Sequence, residues 1–436
     1  MERYKSFLSY VVPSVLAFAL SGVYAIVDGF FVGNSVGDIG LSTINVAYPI
    51  VALIQSLGTG IGMGGAVLYS IRLAMGEKEK ANDYIDATMN LLLLSCMVMT
   101  IVILLFLTPI LKLLGAENEL LVLGKEYLRI IVLGAVFQVF GTGLLPLIRN
   151  NGGATFAMAT MILGFLTNII LDYFFVWKFE WSVAGAAAAT VIGQAVTMIG
   201  SFFFLMHHKL PLGKFYLKNL PLIGDIARIG VAPFGINMSP LISLIFINRF
   251  SLVHGGEQAV ACYACISYMI TILYYFIQGV GDGSQPLMSQ YYGEGKWNLV
   301  KQIRRYAYVL SELLTLVGAV ILFLGRNHIG LIFGASEQVS WQVAEAMPIF
   351  LLGVLFLSFA RIITSGFYAT ANSMFSYILV YAEPVFLILL LVVLPRFGGQ
   401  VYIWWSMAGA QLITSALAFV LKIYADKQNA IKYGYV

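Results

Sequence analysis

Four polar residues lie inside segments that are otherwise apolar and long enough to cross a membrane. Asn168 and Asp172 are four residues apart in TNIILDYFF, so they share one face of a helix. Asp28 lies in VYAIVDGFFVGN, and Thr190 lies in AGAAAATVIGQ. An ionisable side chain at the centre of a bilayer costs about 2.5–3.5 kcal/mol, so each carboxylate needs a physical reason to be there.

The predicted helix ends place these residues at a common depth. Asp28, Asp172 and Thr190 lie about 9–11 Å below the outer ends of their helices, at a rise of roughly 1.5 Å per residue, and Asn168 lies one turn deeper. Two carboxylates, an amide oxygen and a hydroxyl that converge suit Na⁺, which needs several oxygen ligands, or a proton held on a carboxylate. A structural hydrogen-bond network is the alternative interpretation.

The composition identifies an integral membrane protein. Hydrophobic residues make up 60% of the 436 residues, charged residues make up 11%, and the mean hydropathy is +0.88. A soluble globular protein has about 25% charged residues. The sequence has no G-x-x-x-x-G-K-[ST] motif and no histidine within a span, so it offers neither an ATPase nor a nucleophile–base or metal constellation for an embedded enzyme. We expect no enzyme activity, no metal site beyond Na⁺ and no cofactor.

Apolar runs of roughly 20 residues predict transmembrane helices. The sequence contains twelve, over residues 7–33, 43–70, 88–110, 127–148, 155–177, 183–206, 228–250, 259–290, 306–324, 346–368, 374–395 and 401–421. Seventeen of the 25 lysines and arginines then fall on the side that holds both termini. Because positive residues concentrate in cytoplasmic loops, both termini are predicted to be cytoplasmic.

The two halves of the chain resemble each other at an offset of 219 residues. Gly60, Gly62 and Gly64 correspond to Gly279, Gly281 and Gly283, and LLGAENE (113–119) corresponds to IFGASEQ (332–338). The sequence therefore predicts two six-helix lobes, at 1–206 and 228–436, joined by a cytoplasmic linker at 207–227. Repeats of this kind are typical of transporters, and glycines at this spacing favour close helix packing.

Other buried polar residues are predicted in the second half. Arg361 and Glu383 lie at one depth on adjacent helices, which favours a structural ion pair. Asp282, between Gly281 and Gly283, either contacts a cationic substrate or faces cytoplasmic water. The aromatic residues Tyr48, Tyr274 and Phe137 are candidates, with these charged residues, for lining a cavity for flat organic cations.

These motifs carry a family resemblance over essentially the whole chain. The chain resembles the multidrug and toxic compound extrusion (MATE) transporters, in their DinF-like bacterial branch. VYAIVDGFFVGNSVG is similar to that family's first-helix motif, TNIILDYFFV to its fifth-helix N-x-x-x-D, and VAGAAAATVIGQ to its sixth-helix motif. GVGDGSQPLMSQYYGEGK is similar to the eighth-helix signature, although Asp282 stands where Gln is usual. VYAEPVF differs too, since Ala382 and Glu383 replace the usual Arg-Gln.

The resemblance implies an all-α, V-shaped fold with two pseudo-symmetric six-helix bundles. It implies a monomeric antiporter that exports organic, often cationic, compounds in exchange for H⁺ or Na⁺ and binds no nucleic acid. In this branch the coupling-cation site is the first-lobe Asp, Asn, Asp and Thr, here Asp28, Asn168, Asp172 and Thr190. A lipid or lipid-linked sugar flippase of the same superfamily is the nearest alternative. It would need a basic cavity, whereas the first lobe is expected to bury acids and no arginine. A channel is disfavoured by the repeat.

Overall fold

The computed structural model describes residues 2–214 and 219–432, and the regular elements of that part of the chain are all helices, without β-strands. We number the spanning helices α1 (Glu2–Val36), α2 (Asp38–Ala74), α3 (Lys78–Leu105), α4 (Asn118–Leu133 and Ala135–Asn150), α5 (Ala154–Lys178), α6 (Ser182–His207), α7 (220–255), α8 (257–293), α9 (Trp297–Ile332), α10 (Glu337–Ala369), α11 (Ser373–Val393) and α12 (Gln400–Lys432). Short helices at Leu107–Leu113 and Pro395–Gly398 follow α3 and α11.

The predicted membrane fold is confirmed, and two breaks in the helices explain the count of spans. Ten helices in the described residues are long and apolar enough to cross a membrane, and the two halves of α4, bent by 52°, add an eleventh. The run Leu220–Gly293 is interrupted at Gly256, whose φ of 67° favours glycine, and dividing it there gives twelve. The fold thus agrees with the twelve spans predicted from hydropathy.

The N-terminal part of the predicted linker is held against α3. Asp86 Oδ1 accepts hydrogen bonds from the backbone nitrogens of Gly213 at 2.9 Å and Lys214 at 2.8 Å. Residues 215–218 of this segment lie outside the described residues. Helix α7 begins at Leu220, inside the segment predicted to be linker.

The chain forms two compact units that do not coincide with the two halves of the sequence. The N-terminal unit contains Leu20–Asn237, and the C-terminal unit contains the chain up to Ala19 and from Met238 onward. The boundaries 19 and 238 differ by the repeat offset of 219 residues. Each unit therefore includes one half-helix from the opposite half of the sequence.

Glycines on the second helix of each repeat accommodate that half-helix. In the N-terminal unit, a Cβ on Gly60 would lie 2.8 Å from the Gly230 carbonyl oxygen of α7. In the C-terminal unit, a Cβ on Gly279 would lie 2.6 Å from Val15 Cα of α1. Backbone packs directly on backbone at both places, so the predicted role of the paired glycines in close helix packing is confirmed.

We expect Gly62→Ala to destabilise the N-terminal unit. A Cβ on Gly62 would collide with the Gly143 carbonyl of α4, and separating two packed helices costs about 1–3 kcal/mol. Gly224→Ala in α7 is the matched control, because its Cβ would meet nothing within 4 Å. Cys96, Cys262 and Cys265 are all buried, so a thiol-reactive fluorescent dye reports thermal unfolding in detergent. Equal melting temperatures for the two variants would contradict this account.

Candidate functional site

The two carboxylates predicted from the sequence lie side by side in the N-terminal unit. Asp28 on α1 and Asp172 on α5 are within hydrogen-bonding reach of each other. Asp172 is completely buried, and Oδ1 of Asp28 is also buried. Neither Asp172 oxygen, nor Oδ1 of Asp28, has a hydrogen-bond donor in the described part of the chain. Two ionised carboxylates are acceptors only, so this arrangement needs a proton or a cation between them.

Asn168 and Thr190 complete the predicted set. Asn168 Nδ2 donates a hydrogen bond to Thr190 Oγ1 at 3.3 Å, which joins α5 to α6. Asn168 is 2% exposed, and its Oδ1 has no donor among the described residues. The amide therefore uses its nitrogen for structure and leaves its oxygen available as a ligand. The four predicted residues belong to one unit and are contributed by α1, α5 and α6.

Two glycines allow α5 and α6 to approach at this point. A Cβ on Gly193 would lie 2.7 Å from the Gly164 carbonyl oxygen and 3.0 Å from Asn168 Cβ. A Cβ on Gly164 would collide with the Thr197 hydroxyl of α6. The absence of side chains at both positions lets Asn168 reach Thr190.

The helix changes its winding immediately after Asp172. Residues Tyr173–Lys178 form a π-helix, and its backbone packs against Gly185 of α6, where a Cβ would lie 3.0 Å from the Phe175 carbonyl. Single π-helical turns are rare and frequently occur at functional sites. Asp172 is thus the last α-helical residue before a local change of geometry, which its sequence did not reveal.

Two tyrosines also face the site and were missed by sequence reasoning. Tyr24 lies one turn before Asp28, its hydroxyl is beside Thr190, and its ring stacks on Phe165 with centroids 5.0 Å apart. Tyr127 on α4 is 5% exposed and close enough to both carboxylates to interact with them electrostatically. The four-residue spacing from Asp28 could have indicated Tyr24, whereas no local pattern marks Tyr127.

Buried valines lie next to the site, and the described residues supply no counter-charge to it. Val32 and Val176, each four residues beyond a site carboxylate, and Val183 on α6 are fully buried in the core of the N-terminal unit. No lysine, arginine or histidine of the described chain forms an ion pair with Asp28 or Asp172. In a low-dielectric environment the negative charge of the two carboxylates must therefore be balanced by a bound proton or cation.

The expectation that the first lobe buries no arginine was wrong. Arg149 is 5% exposed and lies in the last turn of α4. Sequence reasoning assigned it to a loop, because its position follows the end of the apolar run. The C-terminus of a helix favours positive charge, and a long arginine side chain can extend along the helix. The charge of Arg149 is therefore compatible with burial at this helix end.

Arg361 and Glu383 form the predicted ion pair in the C-terminal unit. Arg361 Nη2 lies 2.9 Å from Glu383 Oε2, and their side chains are 13% and 4% exposed. Gln411 on α12, which sequence reasoning did not single out, donates from Nε2 to Glu383 Oε1 and to the Tyr274 hydroxyl, both at 3.3 Å. The structure thus brings Arg361, Glu383 and Tyr274 into one network.

The other residues proposed for a cavity lie elsewhere. Asp282 is 6% exposed and accepts a hydrogen bond from the Tyr368 hydroxyl at 3.2 Å, so the interpretation that it faces cytoplasmic water was wrong. Packing of Gly281 against Ser365 of α10 turns this part of α8 inward. Tyr48 is 52% exposed on α2, and Phe137 is half-buried on α4, both in the N-terminal unit.

Comparison with known proteins gives relatives that extend over nearly the whole chain. The chain is 22% identical over 424 residues to the multidrug export protein MepA of Staphylococcus aureus, covering 97% of this chain and 93% of that protein. It is 25% identical over 431 residues to MepA of Staphylococcus saprophyticus, with the same coverages.

Solved structures share the fold. One described as the outward-facing conformation of a multidrug resistance MATE family transporter of the MOP superfamily has a TM-score of 0.90 at 22% identity, covering 97% of this chain and 96% of that one. A MOP superfamily transporter from Pyrococcus furiosus, whose binding pocket is described as having reverse polarity, has a TM-score of 0.91 at 21% identity, covering 98% and 96%.

The family model named MatE matches residues 13–174 and 229–393, which lie in both repeats and make up most of the chain. The matched segments contain Asp28, Asn168 and Asp172, and they end before the last helix of each repeat. The chain therefore belongs to the MatE family of membrane transporters.

Proposed function

We propose that this transporter is a secondary active antiporter that exports organic compounds in exchange for H⁺ or Na⁺. The observation that carries the proposal is the buried contact between Asp28 and Asp172, in which Asp28 Oδ1 and both Asp172 oxygens lack donors among the described residues. Because this pair must be neutralised by a bound cation, it gives a physical reason why transport would be coupled to cation binding. The names of the staphylococcal relatives, which are multidrug export proteins, support a drug-like organic substrate.

The residues suggest how a cation would act on the helices. Neutralising Asp28 and Asp172 removes the repulsion between α1 and α5, and Asn168 Oδ1 and the Thr190 hydroxyl add ligands for Na⁺ or acceptors for a proton. Helix α1 is continuous, but its residues belong to different units before and after Ala19. A shift of α1 that hinges near Pro13 or Gly22 would then couple cation binding to the affinity for substrate.

Thermodynamic linkage makes the effects of cation and substrate on each other's affinity reciprocal. If the cation lowers the affinity for substrate when it binds from outside, then substrate binding from inside must lower the affinity for the cation by the same factor. The protein needs no cofactor for this cycle besides the coupling ion and is not an enzyme. We place it in the bacterial inner membrane as a monomer with both termini in the cytoplasm.

We expect Asp172→Asn to abolish coupled efflux while the protein stays folded. The amide keeps the size of the side chain but cannot take up the proton or balance the charge of Na⁺. Purified protein in liposomes is given a pH gradient or a Na⁺ gradient separately, and efflux of the fluorescent cation ethidium is followed. The gradient that drives efflux identifies the ion.

Thr167→Val on α5 is the matched control for that experiment. Its hydroxyl bonds only to the Leu163 carbonyl of its own helix, so wild-type efflux is expected. Unchanged efflux in Asp172→Asn would make the carboxylate structural and overturn the proposed coupling site. Wild-type protein that responds to neither gradient would contradict the cationic substrate and direct the assay to a fluorescent anionic lipid.

We expect Glu383→Gln to destabilise the C-terminal unit because it leaves Arg361 buried with an uncompensated charge. Removal of one partner of a buried ion pair costs about 3–5 kcal/mol, whereas replacing both partners by apolar residues is often neutral. The double variant Arg361→Met/Glu383→Leu should therefore melt closer to wild type than the single variant does. A double variant that is as unstable as Glu383→Gln would contradict this structural role.

A further inference from the structure

A third carboxylate lies inside a membrane span of the C-terminal unit, and it is not part of either cluster described above. Glu312 is six residues beyond the start of the predicted span 306–324, or about 9 Å along α9. Val309 and Leu313, which flank it on the helix, are both 55% exposed, and Leu316 is 49% exposed. Exposed apolar residues on a spanning helix face lipid, so Glu312 lies at the edge of a lipid-facing surface.

Hydroxyl groups surround the inner side of Glu312. The hydroxyls of Ser311 on α9 and Ser358 on α10 are 2.8 Å apart, and Ser358 also contacts Glu312. Thr315, one turn beyond Glu312, is fully buried, and its Oγ1 has no hydrogen-bond partner in the described residues. Glu312 Oε1 is likewise buried without a donor. The cluster thus holds two orphaned oxygens on adjacent turns of one helix.

No positive charge compensates Glu312 within the described chain. The polar groups that act on it are the Ser358 hydroxyl and the backbone of Phe359. Tyr308, one turn earlier on α9, packs its ring against Phe359 with centroids 5.9 Å apart. From α8, the apolar Leu273 packs against Gly318.

Four charged groups on the helices that pack around α9 are engaged with other residues. They are Arg3 of α1, which contacts Gln302, Asp426 of α12, which pairs with Arg304 and Lys422, Arg361 of α10, which pairs with Glu383, and Asp282 of α8, which contacts Tyr368. Within the described residues Glu312 therefore has no ion-pair partner, and its carboxylate interacts with the Ser358 hydroxyl and the Phe359 backbone alone.

We propose that Glu312 is a proton-binding site of the C-terminal unit, separate from the Asp28–Asp172 pair. Protonation makes the carboxyl neutral, and a neutral carboxyl costs less free energy than an ionised one when its Oε1 is buried without a donor, as it is in the described residues. Protonation also removes a charge from the edge of the hydrocarbon, where an ionised carboxylate is costly. The inference does not depend on the proposed antiport, because proton binding at Glu312 is measured without transport.

Dicyclohexylcarbodiimide tests the proposal, since it modifies protonated carboxyl groups in apolar surroundings. Wild-type protein in liposomes is treated over a series of pH values, and mass spectrometry measures the modification of the peptide that contains Glu312. We expect modification at neutral pH and a loss of about tenfold per pH unit above the midpoint of its titration. The peptide of Glu312→Gln should remain unmodified.

Glu345 on α10 serves as the internal control, because it is exposed to water and should not be modified. Parallel samples contain Na⁺ or choline at equal ionic strength. A Glu312 peptide that stays unmodified at neutral pH would overturn the proposal. Protection by Na⁺ but not by choline would also overturn it, since Glu312 would then belong to a sodium site.

Discussion

The burial of two carboxylates beside each other, with no base to neutralise them, is the constraint on which the N-terminal unit depends. Asp28 and Asp172 can both be charged only at a high cost in an apolar core. Every stable arrangement of α1, α5 and α6 therefore includes a proton or a cation at this place, or else moves the helices apart. At a site of this kind, the positions of the helices depend directly on whether a cation is bound.

Close helix packing determines the geometry of the site. Gly164 and Gly193 bring α5 and α6 together so that Asn168 bonds to Thr190, and Gly185 accepts the π-helical turn that follows Asp172. A methyl group at any of these positions would separate the helices by a few tenths of an ångström or more. The oxygen ligands would then no longer converge, although none of the glycines touches the cation.

The sequence was sufficient for the features that depend on hydropathy and on repeated spacing. Long apolar runs located the twelve spans, and the offset of 219 residues located the glycines that pack α2 and α8. Equal depth also predicted the Arg361–Glu383 pair. Tyr127 and Gln411 were missed because their roles depend on which helix lies opposite, and this cannot be read from local pattern. Arg149 was misjudged, and the water-facing alternative for Asp282 was wrong, because burial depends on the neighbouring helices rather than on the length of an apolar run.

Buried charges are treated in two different ways in this protein. In the C-terminal unit the charge of Glu383 is balanced by Arg361 within the folded chain. A group that is already satisfied gains little from an added ligand. Asp172 and Glu312 have buried oxygens without donors, so an added proton or cation stabilises the structure that binds it. By this criterion the ion pair is part of the scaffold, whereas the carboxylates without donors are the groups able to respond to the ionic conditions on either side of the membrane.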